Sequence, residues 1–489
     1  MRFIPKRVKN SVALVISMVA MLLLLLGIWA RLGWPAGGMD SWNHYLYCRW
    51  APTHPELIWD QWGKTLFTLP GIPFAYFGIQ GLYVFNIICC LVGAFFTYKA
   101  AHKLDMRYPW MAILFYVLQP VVFANTISAL TEPLNAMVLA IIFYLLADKR
   151  WAWAAVITSF LPFFRTEGWV LLLGISFYYI ARSQWKRMPI LAVGSISFAA
   201  LGQFVFGNWL WFISNNPYVQ ENTSGRDWGH GSWTHFIDSQ KGIWGTPMFF
   251  LMILALVILL VYTFRLIKKH TLEEKSVYAY WLITPVFLGF FMAHTIIWVF
   301  GMFGSNGLTR VFYIVAPCTA LLATYALHKI TFIEINNYRR VLTAIVIVLL
   351  LYTAYRGSDI PMPWKNESSI KANPLDETMY KAMDYIKKSE YKDYHMGHQL
   401  PVLNVITDTD PWAARDQAKF TYLWSIDTIA SNDFTPKNTI IIWDGWHATR
   451  EGGKPKDVML RMKQYQKIKE FKHSKDSIHD VILFVKTNE

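Results

Sequence analysis

Residues 11–30 read SVALVISMVAMLLLLLGIWA, twenty positions without a formal charge. About twenty apolar residues are what an α-helix needs to cross a bilayer. The stretch is longer than a signal-peptide core and runs into no convincing cleavage site, so it reads as a retained membrane helix. Comparable apolar blocks recur near 72–98, 109–124, 133–147, 152–164, 168–181, 189–213, 246–264, 277–300, 308–328 and 341–355. Together they make about eleven spans, several of them short. The 489 residues are 54% hydrophobic and only 16% charged, too apolar for an ordinary soluble enzyme. The expected fold is a polytopic α-helical membrane protein.

The formal charge of +14 invites a nucleic-acid partner, but its placement excludes one. With the N-terminus assigned to the cytoplasm and sides alternating, the inside segments hold 19 Lys and Arg against 5 Asp and Glu. The outside segments before the tail hold 7 against 8, and the tail from Arg356 holds 20 against 19. The excess therefore sits in short loops on one side, as the positive-inside rule expects. It is a topology signal. It puts the tail outside the cytoplasm.

Two domains are expected: a membrane domain over 1–356 and a soluble extracytoplasmic α/β domain over 357–489. In the tail, strand-like runs fall at 401–407, 438–444, 465–472 and 480–486, and helical patterns near 375–390, 411–424 and 455–464. Asn373-Pro374 and Lys454-Pro455 mark helix starts. Trp443-Asp444-Gly445-Trp446-His447 ends a strand and offers either sugar stacking or ordinary packing. The four cysteines support neither a disulfide framework nor a thiolate metal site, and Cys48 reads as a bystander.

On this topology one face collects the unusual polar residues. Asp40, His44, Asp60 and Lys64 lie in the first outer loop, 31–70. Glu132 ends the third span, Arg165 and Glu167 lie between the fifth and sixth, and Arg310 starts the tenth. Charged groups at a membrane boundary are costly and usually face a cavity or a partner. Each also has a plainer reading. Glu132 suits a helix N-terminus, Arg165 and Glu167 suit a structural pair, and Asp60 and Lys64 suit an i, i+4 salt bridge. Arg310 suits snorkelling, and His44 suits an aromatic belt. Asp40 follows two glycines and caps nothing obvious. Residues 54–68 alternate as an amphipathic helix lying in the interface plane. Residues 214–245 are rich in Gly, Ser, Asn and aromatics, which predicts a mobile functional loop. His230 and His235 in it lack a third zinc ligand at suitable spacing.

Four passages resemble the GT-C superfamily of membrane glycosyltransferases, which includes protein O-mannosyltransferases, aminoarabinose transferases and the catalytic subunits of oligosaccharyltransferases. They are MDSWNHY with Asp40; HPELIWDQWGKTLFTLPGIPFAYFG; TEPL with FRTEG; and GSNGLTRVFYIVAP, where Val311 replaces the usual aromatic. The resemblance covers residues 1 to about 355. It implies a polyprenyl-phosphate sugar donor, mannose among the candidate sugars, and a glycan, lipid or protein acceptor at the extracytoplasmic face of a bacterial inner membrane. Ser41 stands where several branches carry a second acid, so a divalent metal is left open and no cofactor is assigned.

The chemistry assigns roles. An acceptor hydroxyl attacking C1 needs a base, and the departing phosphate needs positive charge. Asp40 is the expected general base, and Arg310 with Arg165 or Lys64 the phosphate clamp. Glu132 and Glu167 are expected to orient sugar hydroxyls or the arginine. His44 and Asp60 are counted with Lys64 among the substrate-binding residues. Rival readings are a transporter, a lipid-linked-glycan ligase or polymerase, and a non-catalytic assembly subunit. A transporter favours internal repeats and mid-membrane charges, neither of which is visible.

Overall fold

The computed structural model describes residues 6–31, 38–218, 229–267, 273–331, 336–357, 374–398, 402–413, 420–422, 438–445, 447–450, 455–473 and 477–486. Within them the chain is mainly helical. The helices that matter for the site are α1 (Lys6–Arg31), α2 (Gly38–Trp50), α3 (Thr65–Ala75), α4 (Ile79–Lys103), α5 (Met111–Val117) and α6 (Pro120–Asn125). They continue as α7 (Glu132–Ala147), α8 (Trp151–Ser159), α9 (Leu161–Phe164), α10 (Gly168–Ala181) and α11 (Val193–Phe206). After these come α12 (Thr246–Ile267), α13 (Thr284–Val299), α14 (Ala316–Ile330) and α15 (Asn336–Gly357).

Five helical stretches among the described residues are long and apolar enough to cross a membrane: Asn10–Ala30, Ile79–Lys103, Trp185–Phe206, Thr246–Phe264 and Glu274–Val299. Five further apolar helices are shorter, including Glu132–Ala147 and Gly168–Ala181. The count of about eleven spans is not reached by length, and the reason is local. The block 109–124 is split where Gln119 turns extended ahead of Pro120, since the residue before proline avoids the helical region. The block 152–164 is split at Phe160 ahead of Pro162. Leu173, Phe177, Phe204, Phe264 and Val348 stand exposed on the outside of the bundle. Outward apolar side chains in such number are what lipid contact requires.

The helix α4 is the inner post of the bundle and packs along α7 and α5, with Cys89 and Cys90 buried. Two ends can be told apart by their ion pairs. At one end Lys103 and Arg150 flank Asp148 at 2.6 and 2.7 Å, Arg182 meets Glu274 at 2.9 Å, and Lys329 meets Glu273 at 3.1 Å. The starts of α2 and α7 lie at the other.

Among the described residues the tail carries a five-stranded sheet. Its strands are β1 (His395–His398), β2 (Phe420–Tyr422), β3 (Thr439–Asp444), β4 (Tyr465–Phe471) and β5 (Val481–Lys486), in the order β2-β1-β3-β5-β4. β1 runs parallel to β2 and β3, while β5 runs antiparallel to β3 and β4. β3 reads TIIIWD and is buried throughout. Its alternate side chains explain this. Ile440 and Ile442 join the cluster that includes Met379, Met383 and Ile386 of α16 (Pro374–Lys388). Ile441 and Trp443 join Met459 on the opposite face.

Three expectations in the tail are corrected. Residues 402–407 form a short helix, α17 (Val402–Thr407), not a strand. A run of six apolar-rich residues does not by itself separate the two. Phe420–Tyr422 is a strand at the end of a segment read as helix, and His395–His398 is a strand that the sequence reading missed. The rest of 411–424 falls partly outside the described residues, as does Trp446.

Candidate functional site

Charged residues expected in the outer loops converge at the end of the bundle where α2 and α7 begin. Asp40 sits in the first turn of α2 and Glu132 in the first turn of α7. A helix N-terminus favours an anion at both places. Arg310 lies in the single 3-10 turn Thr309–Tyr313 that precedes α14. Arg165 and Glu167 occupy the turn between α9 and α10. That turn closes because residue 168 is glycine: a Cβ there would lie 2.2 Å from the backbone of Leu161.

One loop, 126–131, ties these pieces together. The Ser41 hydroxyl of α2 accepts from the Ala129 N–H at 2.7 Å. The Asn86 amide of α4 donates to the carbonyls of Ser128 and Leu130 at 2.6 and 2.9 Å. Thr126 and Tyr313 share a hydrogen bond at 2.8 Å, which fixes the Arg310 turn to the same loop.

The side chains then form a continuous chain of opposite charges. Arg310 Nη2 donates to Asp40 Oδ2, and its Nε lies 3.3 Å from Glu132 Oε1. The other Glu132 oxygen lies 3.2 Å from Arg165 Nη1. Arg165 is in turn held by Glu167, with Nη2 2.7 Å from Oε1 and Nε 3.3 Å from Oε2. Glu132 is fully buried, and its two contacts are ionic without hydrogen-bond alignment, so its lone pairs stay uncommitted. Lys64 has a left-handed backbone and points its Nζ to Gln61 O at 2.6 Å and Thr166 Oγ1 at 3.2 Å.

The network is electrically balanced. Burial alone would raise the Asp40 carboxyl, but the Arg310 guanidinium outweighs it by charge and hydrogen bonding and holds Asp40 below the usual range. Burial opposes ionisation of Glu167 as well, yet Arg165 takes it down to about 2. Both arginines resist the lowering effect of burial because of their carboxylates, Glu132 foremost, and remain charged. Burial pushes Lys64 down to about 8 and His44 down to about 3, so that imidazole is neutral. Three carboxylates thus face three cations. Burying so many ions costs several kcal/mol each unless they are paired. Both arginines and all three carboxylates are in ion pairs, while Lys64 is held by the Gln61 carbonyl and the Thr166 hydroxyl.

Two of the residues expected here lie beside the chain of ion pairs and not in it. His44 lies one turn along α2 from Asp40 and stacks on Trp62 at 4.5 Å, edge-on to Phe67 at 5.4 Å. Asp60 does not pair with Lys64. Its Oδ1 accepts from the Trp62 and Gly63 N–H groups at 2.7 and 2.8 Å, which builds the turn between Pro55–Trp59 and α3. That turn also replaces the continuous interfacial helix expected over 54–68.

The loop 214–245 is only partly as expected. Residues 219–228 lie outside the described ones. Residues 229–245 are folded, with short helices His235–Asp238 and Gln240–Ile243. Phe236, Ile243 and Trp244 drop into the core, and apolar burial is what orders the segment. His235 Nε2 meets the Gly307 carbonyl at 2.9 Å. Gly307 has φ +60°, and a Cβ there would come 2.9 Å from that nitrogen. His235 therefore braces the loop that leads to Arg310. Among the described residues no group of three or more His, Cys, Asp or Glu side chains could hold a metal.

Tyr218 is a site residue that the sequence reading missed. Its ring lies 5.0 Å from Lys64 Nζ. Its hydroxyl is raised by burial and feels the charges of Arg165, Glu167, Asp40 and Arg310. An aromatic after a proline in a polar loop carries no periodic signal that would have found it.

The tail reaches the same end. Arg49, in the last turn of α2, forms a two-pronged bond to Asp408, with both N···O distances 3.1 Å. His54 Nε2 meets Asp410 at 2.8 Å, and Trp412 packs edge-on against Tyr47 at 5.4 Å.

Residues 63–391 match the pattern of the family described as "Predicted membrane protein (DUF2079)". The match takes in Lys64, Glu132, Arg165, Glu167 and Arg310 and begins after Asp40, His44 and Asp60. No curated protein matches the chain.

Proposed function

The chain belongs to that family of membrane proteins, and we propose that it is an inverting glycosyltransferase that moves a sugar from a polyprenyl phosphate to an acceptor. The observation that carries the reading is the bridge Asp40–Arg310–Glu132 at one end of an apolar helical bundle. A carboxylate and a guanidinium are the two groups this reaction asks for, and the bundle offers a path for a lipid tail. We assign the overall architecture to the GT-C type, with a membrane domain to residue 356 and an appended domain from 357. The N-terminus is cytoplasmic, and the site and tail face outward, most simply in a bacterial inner membrane. Mannose is the first sugar to try, and the acceptor is a glycan, lipid or protein.

The reaction runs as follows. The acceptor oxygen attacks C1 of the sugar and gives its proton to Asp40. The bond from C1 to the phosphate oxygen breaks on the opposite face, and the phosphate leaves with the electron pair. Arg310, with Arg165 or Lys64, takes the charge that develops on it. In the free site Arg310 is engaged by Asp40, which makes Asp40 a weak base. A donor phosphate competes for that guanidinium. As Arg310 turns to the phosphate, Asp40 loses its strongest stabiliser and its basicity rises. Sugar hydroxyls bound beside Arg310 would find the unused lone pairs of Glu132, with Glu167, His44 and Tyr218 nearby. Asp60 acts by shaping the turn that presents Lys64.

The test uses the purified full chain in lipid nanodiscs. Polyprenyl phosphate should bind and raise the unfolding temperature, and polyprenol of the same length should not. Labelled sugar should pass from the phosphate-linked donor to acceptor. Equal stabilisation by the phosphate and the alcohol contradicts the clamp.

A further inference from the structure

At the end of the bundle remote from Asp40 there is an open cavity with basic and aromatic walls, unconnected with the chemistry above. It has a volume of about 420 Å³ and is lined by Lys149, Arg150, Trp151, Ala152, Trp153 and Arg187. α7 separates the two: its 16 residues span about 24 Å at 1.5 Å per residue. We propose that this cavity is a binding site for the headgroup of an anionic phospholipid, recognised through its phosphodiester.

The construction is specific. The turn between α7 and α8 is tight, with Lys149 in the left-handed region at φ 59°. The Arg150 N–H closes it onto the Leu145 carbonyl at 2.8 Å. This turn aims Lys149 outward. Across the cavity Arg187 stands in the 3-10 segment Trp185–Ala192, and its Nη1 donates to Gln184. The back wall is rigid. Trp151 stacks on Tyr178 at 5.4 Å, and its carbonyl accepts from the Tyr179 hydroxyl at 2.7 Å.

The charge is unbalanced. Asp148 is the carboxylate beside the turn, and it is taken by Lys103 at 2.6 Å and Arg150 at 2.7 Å. Among the described residues that leaves Lys149 and Arg187 as cations facing one opening with no carboxylate in an ion pair with either. The size suits a headgroup, since small-molecule sites run from about 300 to 1,000 Å³.

The setting selects a lipid as the source of the anion. Trp153 is 67% exposed and Trp185 is 58% exposed. Tryptophans standing outward beside lysine and arginine at the ends of apolar helices mark the headgroup level of a bilayer. Leu173, Phe177 and Ile180 continue the exposed surface along α10, where acyl chains would lie. Basic pockets at this depth are suited to phosphate headgroups.

The experiment compares the full-length protein with the double variant Lys149→Ala/Arg187→Ala. Retention of phosphatidylglycerol and of phosphatidylcholine is read by native mass spectrometry. Wild type should retain phosphatidylglycerol preferentially. The double variant should bind it about 25-fold less well, from about fivefold for each cation removed near a lipid surface. Lys149→Arg should keep the preference. Hydrogen exchange on the wild type needs no variant: segments 147–153 and 185–192 should be protected by phosphatidylglycerol nanodiscs relative to phosphatidylcholine ones. Unchanged retention in the double variant, or equal protection by the two lipids, overturns the proposal. So does equal protection by inorganic phosphate in detergent, which would make the site one for a free anion.

Discussion

Arg310 and Asp40 are 270 residues apart in the chain and are joined by a hydrogen-bonded ion pair, with Arg310 Nε also 3.3 Å from the buried Glu132. One guanidinium therefore serves two carboxylates at once. Only a planar fork with several donors does this, and a lysine ammonium replaces it poorly. Arg310→Lys should lower both donor affinity and turnover, by about tenfold or more. The check is a titration with polyprenyl phosphate beside a transfer assay. Full activity in the variant would return Arg310 to a snorkelling role.

Glu132 separates two accounts by magnitude. A carboxylate that only complements a helix N-terminus contributes about 0.3–1 kcal/mol. A buried one shared by two arginines leaves each with a single carboxylate, Arg310 with Asp40 and Arg165 with Glu167, when it is neutralised, and breaking a buried pair costs about 3–5 kcal/mol. The contacts at 3.2 and 3.3 Å and the complete burial favour the larger figure. Glu132→Gln should lower the unfolding temperature markedly in nanodiscs. A change of a degree or two would support the helix-end account.

The pH profile follows from two groups of opposite sign. Asp40 works ionised and is held below the ordinary carboxylate range, so kcat/KM should fall only as pH drops through that lowered value. Lys64 works charged and lies at about 8, so kcat/KM should also fall as pH rises through about 8. These limbs report the free enzyme. A bound phosphate raises both groups, Lys64 by attraction and Asp40 by drawing Arg310 away, so both limbs of kcat should lie at higher pH. Lys64→Arg should abolish the alkaline limb, because an arginine stays charged. An alkaline limb that persists unmoved in this variant assigns it to another group.

The tail is fastened to the far end of α2, the helix that carries Asp40 in its first turn. The Arg49–Asp408 pair is largely open to solvent, and such pairs contribute about 0–1 kcal/mol. His54–Asp410 is better shielded, with the Asp410 side chain 7% exposed. Asp410→Asn should therefore loosen the tail more than Asp408→Asn. Hydrogen exchange over 402–407 and 49–56 should rise in that order. Equal, unchanged exchange in both variants would show that neither ion pair holds the tail and that packing, such as Trp412 on Tyr47, does.

The membrane class was legible because apolar blocks are a matter of composition along the chain. The grouping of Asp40, Glu132, Arg165, Glu167 and Arg310 at one end was also legible, because alternation of sides follows from counting blocks and loop charge. Their pairing was not. That Arg310 reaches Asp40 and not Glu167 depends on the 126–131 loop and its bonds to Ser41, Asn86 and Tyr313, and these are contacts between distant segments. The lengths of the helices were misjudged where prolines 120 and 162 interrupt apolar runs. Asp60 was misread because an i, i+4 spacing implies a salt bridge only inside a helix, and residues 60–63 form a turn.

The central claim is that Asp40 accepts the acceptor's proton, and single-turnover transfer by Asp40→Asn tests it most directly. The amide keeps the size of the side chain and a hydrogen bond acceptor for Arg310 but cannot take the proton. General-base catalysis contributes about 10²- to 10⁴-fold. Transfer from a polyprenyl-phosphate sugar should fall by that factor while binding of the donor is retained, and Asp40→Glu should recover little, since a displaced base misses the reacting geometry. Transfer by Asp40→Asn at the wild-type rate would contradict the account.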